Sequence, residues 1–199
     1  MKNTKEFIKK IMQTRGEVRG LILKQDLEYV LKKKGAGGLE KVEKLLEFWG
    51  HPIKYKEIRN TNFYPAGLRA LTLFAAKEVF DWGDQDIKNL CAYHLKAPLA
   101  MRLFMEYFVS LSKVLEKSSA MWSDYWTVGD LKIIEYNKKE KRVILELQDF
   151  DLDPIFCCCL SGYLQSITQF TTRSPKVTCR EIKCTFRGDD AHRYLLEWE

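Results

Sequence analysis

The stretch CREIKCTFRGDDAHRYLLEWE, residues 179–199, decides the fold prediction. Two strand-prone runs flank Gly188, and a glycine suits the positive-φ position of a tight hairpin turn. With a three-residue loop at 187–189, Cys184 and His192 face each other directly, their Cβ atoms ~5 Å apart. A sulfur and an imidazole nitrogen so placed can reach one Zn²⁺ at about 2.3 and 2.1 Å. The run therefore predicts a hairpin that contributes two metal ligands.

The hairpin spacing alone does not identify metal ligands beyond Cys184 and His192. Glu181 faces away from Cys184 in a regular strand, and a β-bulge between them would restore a common face. The segment DPIFCCCLSGYLQ, which begins at Asp153, reads as a helix with an N-cap and a proline in its first turn. Successive residues on this helix point about 100° apart, so at most one or two of the cysteines at 157–159 face the sheet. Buried core thiols are the simpler alternative for these cysteines.

The remaining chain predicts an α+β fold. Residues 1–120 have helical periodicity, and two strand-like runs at 131–136 and 142–148 precede the cysteine-rich helix. We expect one domain, 1–199, in which an N-terminal helical half (1–120) packs with a C-terminal four-stranded antiparallel sheet in the order β-β-α-β-β (121–199).

The composition and charge pattern indicate which partners and which cellular compartment to expect. The net charge is +6, but acidic residues are interleaved with the lysines, so the pattern does not favour a nucleic-acid partner. The most apolar helix, at 98–115, contains Arg102, Glu106 and Lys113, which indicates a buried helix and no membrane span. The charged first residues lack an apolar signal region, and we expect a cytoplasmic protein. Its six cysteines are then expected to be buried, catalytic or metal-binding, because disulfides are rare in that compartment.

Several of these residues match a family pattern. Cys157 lies five residues before Gly-Tyr-Leu, Glu181 precedes Cys184, and Gly188-Asp follows. The segment 120–199 thereby resembles the 4-vinyl reductase family of small-molecule-binding domains. That family's superfamily also includes haem nitric-oxide-binding domains and vesicle-tethering transport-particle subunits. His192 stands where the family has a cysteine. The resemblance implies a structural Zn²⁺ with the ligands Cys157, Glu181, Cys184 and His192.

The resemblance also implies a function. In this superfamily a pocket between helices and sheet holds a ligand, so we expect a sensory or regulatory module that binds a small hydrophobic or aromatic molecule. We expect no enzyme activity, and an output through a homodimer or a signalling partner protein. Aromatic residues that could line the pocket, or simply form the core, are Phe104, Tyr107, Phe108, Trp122, Trp126 and Tyr163.

Two alternatives remain open. A haem-based gas sensor needs an axial ligand, and His94 is the helical candidate. Haem is not expected, however, because the sequence lacks the Tyr-x-Ser-x-Arg motif that binds the haem propionates in the related haem domains. The other alternative is a non-catalytic interaction or tethering subunit. In that case Cys91 or one of the three consecutive cysteines could carry an acyl chain.

Overall fold

The computed structural model describes residues 5–93 and 118–199, and these residues confirm the predicted α+β class. The helices are α1 (Lys5–Met12), α2 (Gly20–Phe48), α3 (Ala66–Phe80), α4 (Asp84–Ala92), α5 (Ser118–Ser123) and α6 (Ile155–Thr172). The strands are β1 (Glu17–Arg19), β2 (Phe63–Pro65), β3 (Asp130–Asn137), β4 (Arg142–Gln148), β5 (Val177–Lys183) and β6 (His192–Trp198).

The larger sheet is antiparallel, with the strand order β3-β4-β6-β5. Helix α6 connects β4 to β5 and packs against both β5 and β6. It begins where the sequence predicts, since the Ile155 backbone N–H donates to Asp153 Oδ1 at 2.8 Å. The β-β-α-β-β order of the prediction is therefore confirmed for this part of the chain.

The helical half (residues 5–93 as described) contains one feature that the sequence did not predict. A short antiparallel pair, β1 with β2, joins its beginning to the segment before α3. Helix α2 is interrupted by a kink at Gly35, which has the non-helical angles φ 69° and ψ −177°. Glycine adopts this conformation without a Cβ clash, which explains how the chain bends here and then resumes its helix.

An aromatic cluster fills the junction between the helical half and the sheet half (residues 118–199). Trp122 and Trp126 stack with their ring centroids 5.7 Å apart, and Phe150 meets both rings edge-on. Phe156 of α6 closes the cluster against Trp126 and Phe150. Trp122 and Trp126, two of the predicted pocket residues, thus pack into the core.

Within 5–93 and 118–199, we find no helix long and apolar enough to cross a membrane. The apolar segment 98–115 lies outside the described residues.

Candidate functional site

The structure brings together the four residues that were predicted to bind metal. One potential ligand atom from each of Cys157, Glu181, Cys184 and His192 lies within 4.8 Å of all the others. Cys157 Sγ is 3.8 Å from Cys184 Sγ and 4.0 Å from His192 Nδ1, which in turn lies 3.0 Å from Glu181 Oε1. Two thiols, an imidazole and a carboxylate are donors that suit a divalent ion of the zinc type.

A β-bulge gives Glu181 its place in this cluster. The register of β5 against β6 shifts between Glu181 and Lys183, so Ile182 is the extra residue and its side chain is 41% exposed. The shift puts Glu181 and Cys184 on one side of the hairpin, as the sequence analysis required for a third ligand.

The turn itself differs from the predicted three-residue loop. Strand β5 ends at Lys183, a 3₁₀ turn follows at Thr185–Arg187, and Gly188 takes the positive φ of 91°. The backbone N–H of Cys184 donates to Asp189 Oδ2 at 2.8 Å, which fixes the start of the turn. Cys184 remains opposite His192 because the last strand pair is Lys183 with Arg193.

Hydrogen bonds orient the buried ligands. His192 is 1% exposed, and its Nε2 lies 2.9 Å from Thr185 Oγ1, so Nδ1 points toward the cluster. Burial acts to raise the pKa of Glu181, but its polar neighbours, among which His192 contributes most, together outweigh burial and keep that pKa below its ordinary value. Burial, with Glu181 and Cys184 adding to it, raises the pKa of the Cys157 thiol far above its ordinary value. The cluster thus contains an ionised carboxylate and a thiol that holds its proton.

Tyr194 adds a fifth polar group beside the cluster. It is fully buried, lies opposite Glu181 in the β5–β6 register, and its pKa is raised by burial and by Glu181. Its hydroxyl makes no hydrogen bond of acceptable geometry among the described residues. Tyr194 is thus a further polar group that faces the Glu181 carboxylate.

Of the other predicted site residues, the structure describes Trp122, Trp126 and Tyr163. Tyr163 of α6 is half-buried, and burial, with Tyr125 nearby, raises its pKa to about 12. The remaining predicted residues, Phe104, Tyr107, Phe108 and His94, lie outside the described residues.

A buried ion pair at the junction was missed by the sequence analysis. Arg69 of α3 and Asp26 of α2 are 3% and 1% exposed, and Arg69 Nε donates to Asp26 Oδ2 at 2.8 Å. The guanidinium faces the rings of Trp126 and Phe156 at 5.4 and 5.7 Å. The available signal was an arginine inside the apolar run AGLRALTLFAA, where a charge must find a buried partner.

A disulfide joins α4 to α6. Cys91 and Cys159 are bonded, with their Cα atoms 5.1 Å apart. The sequence analysis expected no disulfide, and it offered Cys91 and the consecutive cysteines for acylation. The disulfide uses Cys91 and, of the three consecutive cysteines, Cys159, and both are buried in the core.

Described residues line two open cavities. One of about 850 Å³ lies between α1 and the end of α2, and His51 is on its wall. The other, about 330 Å³, lies between α4 and α6 and has mainly polar walls.

Comparison with known proteins gives matches only among solved structures. No family model matches the chain, and no curated protein matches it. An H-NOX protein from S. oneidensis in the Fe(II)NO ligation state is 13% identical, with a TM-score of 0.67 over 91% of this chain and 99% of that chain. A structure from work on H-NOX activation has 11% identity and a TM-score of 0.63, covering 91% and 96%. One from work on haem distortion in the H-NOX family has 10% identity and a TM-score of 0.62, covering 91% and 95%.

These matches correct two expectations. The prediction of a module for hydrophobic or aromatic small molecules was wrong as the main function, because the matching structures are H-NOX proteins, one of them in the Fe(II)NO ligation state. The expectation against haem was wrong as well, since proteins that share this fold over nearly their whole length are haem proteins. The 4-vinyl reductase resemblance is only loosely consistent with these matches. The described chain has the fold of the H-NOX proteins.

Proposed function

We propose that this chain is a haem-based gas-sensing domain in which His94 would hold the haem iron. The observation that carries the proposal is the structural match to H-NOX proteins, which extends over 91% of this chain and 99% of the S. oneidensis protein. A haem iron held by one imidazole can bind a diatomic gas at its open position. The chain itself would hold the haem and transmit the conformational change that follows gas binding, without catalysing a reaction.

The choice of His94 follows from the three histidines of the chain. Both ring nitrogens of His192 already face partners, Glu181 at Nδ1 and Thr185 at Nε2. His51 lies on the wall of the open cavity beside α1. His94 comes two residues after the end of α4 in the sequence, and α4 itself packs against α2 and α6 at the junction of the halves.

Described residues beside α4 have chemistry that suits haem. The ring of Tyr93 lies 5.3 Å from that of Tyr29, which also contacts Trp82. Lys32 and Lys33 place their ammonium groups over the Tyr93 and Tyr29 rings at 5.3 and 5.8 Å. Aromatic faces suit an apolar macrocycle, and neighbouring cations suit its carboxylates.

A route for the signal leads from α4 to the sheet. Helices α4 and α6 approach so closely that a Cβ on Gly162 would lie 2.1 Å from the Lys88 carbonyl oxygen. The Ser166 hydroxyl donates to the Ala92 carbonyl oxygen at 3.1 Å, and α6 continues to the sheet through Cys157. A displacement of α4 therefore moves α6 against β5 and β6, and the output passes to a partner protein or to a second copy of the chain.

Reconstitution with haem tests the proposal. The apoprotein is mixed with haem under reducing conditions, separated from excess haem, and its absorption spectrum is recorded with and without NO. A Soret band that shifts with NO is expected, and His94→Ala should remove it unless imidazole is added. His51→Ala is the matched control and should keep the band. A folded chain that retains no haem, or a His94→Ala variant with an unchanged spectrum, would overturn the assignment.

We also infer that the four-residue cluster holds a structural divalent metal ion. Its support is the convergence of two thiols, an imidazole and a carboxylate within 4.8 Å. Four protein ligands would close the site to substrate, which is the pattern of structural metal sites. Elemental analysis of the purified chain tests this inference.

A further inference from the structure

The disulfide between α4 and α6 lies in a chain whose other cysteines stay free. Cys91 and Cys159 are joined, whereas Cys157 and Cys184 remain thiols even though their sulfurs are 3.8 Å apart. Cys158, next to Cys159 in the sequence, is also free and half-buried. The structure therefore distinguishes one cysteine pair from its neighbours.

A polar contact accompanies this pair of sulfurs. Arg69 Nη2 lies 3.1 Å from Cys159 Sγ and 3.6 Å from Cys91 Sγ, and the same guanidinium is held by Asp26. Sulfur accepts a hydrogen bond as a thiol and as a disulfide. Arg69 therefore keeps its partners whether the two sulfurs are bonded or separate, and neither state strands a buried charge.

We propose that Cys91 and Cys159 form a redox-modification site that switches reversibly between a dithiol and a disulfide. The oxidant is a small peroxide such as hydrogen peroxide. Each thiol gives up one proton and one electron, a bond forms between the two sulfurs, the O–O bond breaks, and the peroxide becomes two water molecules. A small dithiol reverses the step by exchange and is itself oxidised to a disulfide.

The bond decides how firmly α4 is tied to α6. Without it the two helices are held by non-covalent contacts, such as the packing of Gly162 on Lys88 and the Ser166 hydrogen bond. With it they cannot separate at Cys91, one residue before the end of α4. The redox site needs no haem. Only its effect on a gas signal that begins at His94 rests on the proposed function.

Thiol counting on the haem-free chain tests the site. The folded protein is equilibrated with stoichiometric hydrogen peroxide or with dithiothreitol, then denatured and alkylated, and its mass is measured. All six cysteines of the sequence lie in the described residues. We expect alkylation at the four free cysteines after oxidation and at all six after reduction. Peptide mapping should place the change at Cys91 and Cys159.

Two variants make the result specific. Cys91→Ser should abolish the redox-dependent change in mass, whereas Cys158→Ser, the neighbouring control, should retain it. A chain that stays fully alkylated after peroxide, a bond that dithiothreitol leaves intact in the folded protein, or first oxidation at Cys157 and Cys184 would each overturn the proposal. Because no haem is present, failure here is separate from failure of haem binding at His94.

Discussion

Cys157 and Cys159 are two residues apart on α6 and serve opposite sides of that helix. Cys157 Sγ lies 3.8 Å from Cys184 Sγ beside the hairpin, whereas Cys159 is bonded to Cys91 of α4. Two helical steps rotate a side chain by about 200°, which accounts for the opposite directions. A single turn of α6 thus links the candidate metal cluster to the helical half.

Removal of one ligand should empty the metal site. We expect about one Zn²⁺ per chain, falling to nearly none in Cys157→Ser, because the remaining donors no longer complete a closed site. Cys158→Ser changes the adjacent residue outside the cluster and should keep the ion. Elemental analysis, with circular dichroism to confirm folding, makes the measurement. Equal metal content in the two variants would place the ion elsewhere.

Metal binding should strengthen as the pH rises. The raised pKa of Cys157 means that its thiol holds a proton at neutral pH, and a metal ion must displace that proton. Glu181, whose pKa is lowered, is already ionised at neutral pH and therefore has no proton to release when the metal ion binds. Apparent affinity should therefore increase by about tenfold per pH unit for each proton released. Competition with a chromophoric chelator between pH 6 and 8, ~1 unit on either side of neutrality, measures how the apparent metal affinity changes with pH. An affinity that stays constant over this range would refute the prediction.

The close packing of α4 on α6 should not tolerate a methyl group. Gly162→Ala places a Cβ 2.1 Å from the Lys88 carbonyl oxygen, so the helices must move apart. We expect the free energy of unfolding to fall by about 1–3 kcal/mol. Gly37→Ala in α2, where a Cβ meets nothing within 4 Å, is the control. Denaturant melts should show that control as neutral or up to ~1 kcal/mol more stable.

The buried ion pair should depend on both partners. Arg69→Leu leaves Asp26 buried without its guanidinium partner, and we expect a loss of about 3–5 kcal/mol in the free energy of unfolding. Lys77→Ala removes a partner of Asp84, which is largely exposed, and should cost about 0–1 kcal/mol. Urea unfolding of both variants tests the difference. Similar small losses would show that Asp26 is satisfied without Arg69.

Reduction of the disulfide should lower thermal stability. The bond joins residues 68 positions apart, and chain-entropy arguments assign ~4 kcal/mol to a loop of that length. For a chain of this size the midpoint of unfolding should fall by ~10 °C on reduction. Calorimetry with and without dithiothreitol measures the shift, and Cys91→Ser should melt at the same temperature in both buffers.

Local patterns were enough to predict the sheet half. The residue types of the strands, the Asp153 cap and Gly188 each act on neighbouring residues, so the order β-β-α-β-β could be derived from sequence. The family resemblance supplied the four-residue set, while the hairpin spacing alone supported Cys184 and His192. Glu181 depended on a bulge that the residue pattern permits but does not require.

The missed features all depend on distant partners. The bond from Cys91 to Cys159 and the pair of Arg69 with Asp26 join segments far apart in the chain, and no local pattern specifies which segments meet. The rarity of cytoplasmic disulfides also led the prediction away from a bond. The haem expectation failed because it relied on a short motif, whereas the likeness lies in the course of the whole backbone.

The bulge at Ile182 has a second effect, on association between molecules. Strand β5 is an edge of the larger sheet as described, and edge strands offer free backbone groups to strands of other molecules. The register shift between Glu181 and Lys183 interrupts the regular spacing of those groups. The irregularity that places Glu181 in the cluster therefore also makes this edge a poor template for sheet growth, and it guards an otherwise open strand against aggregation.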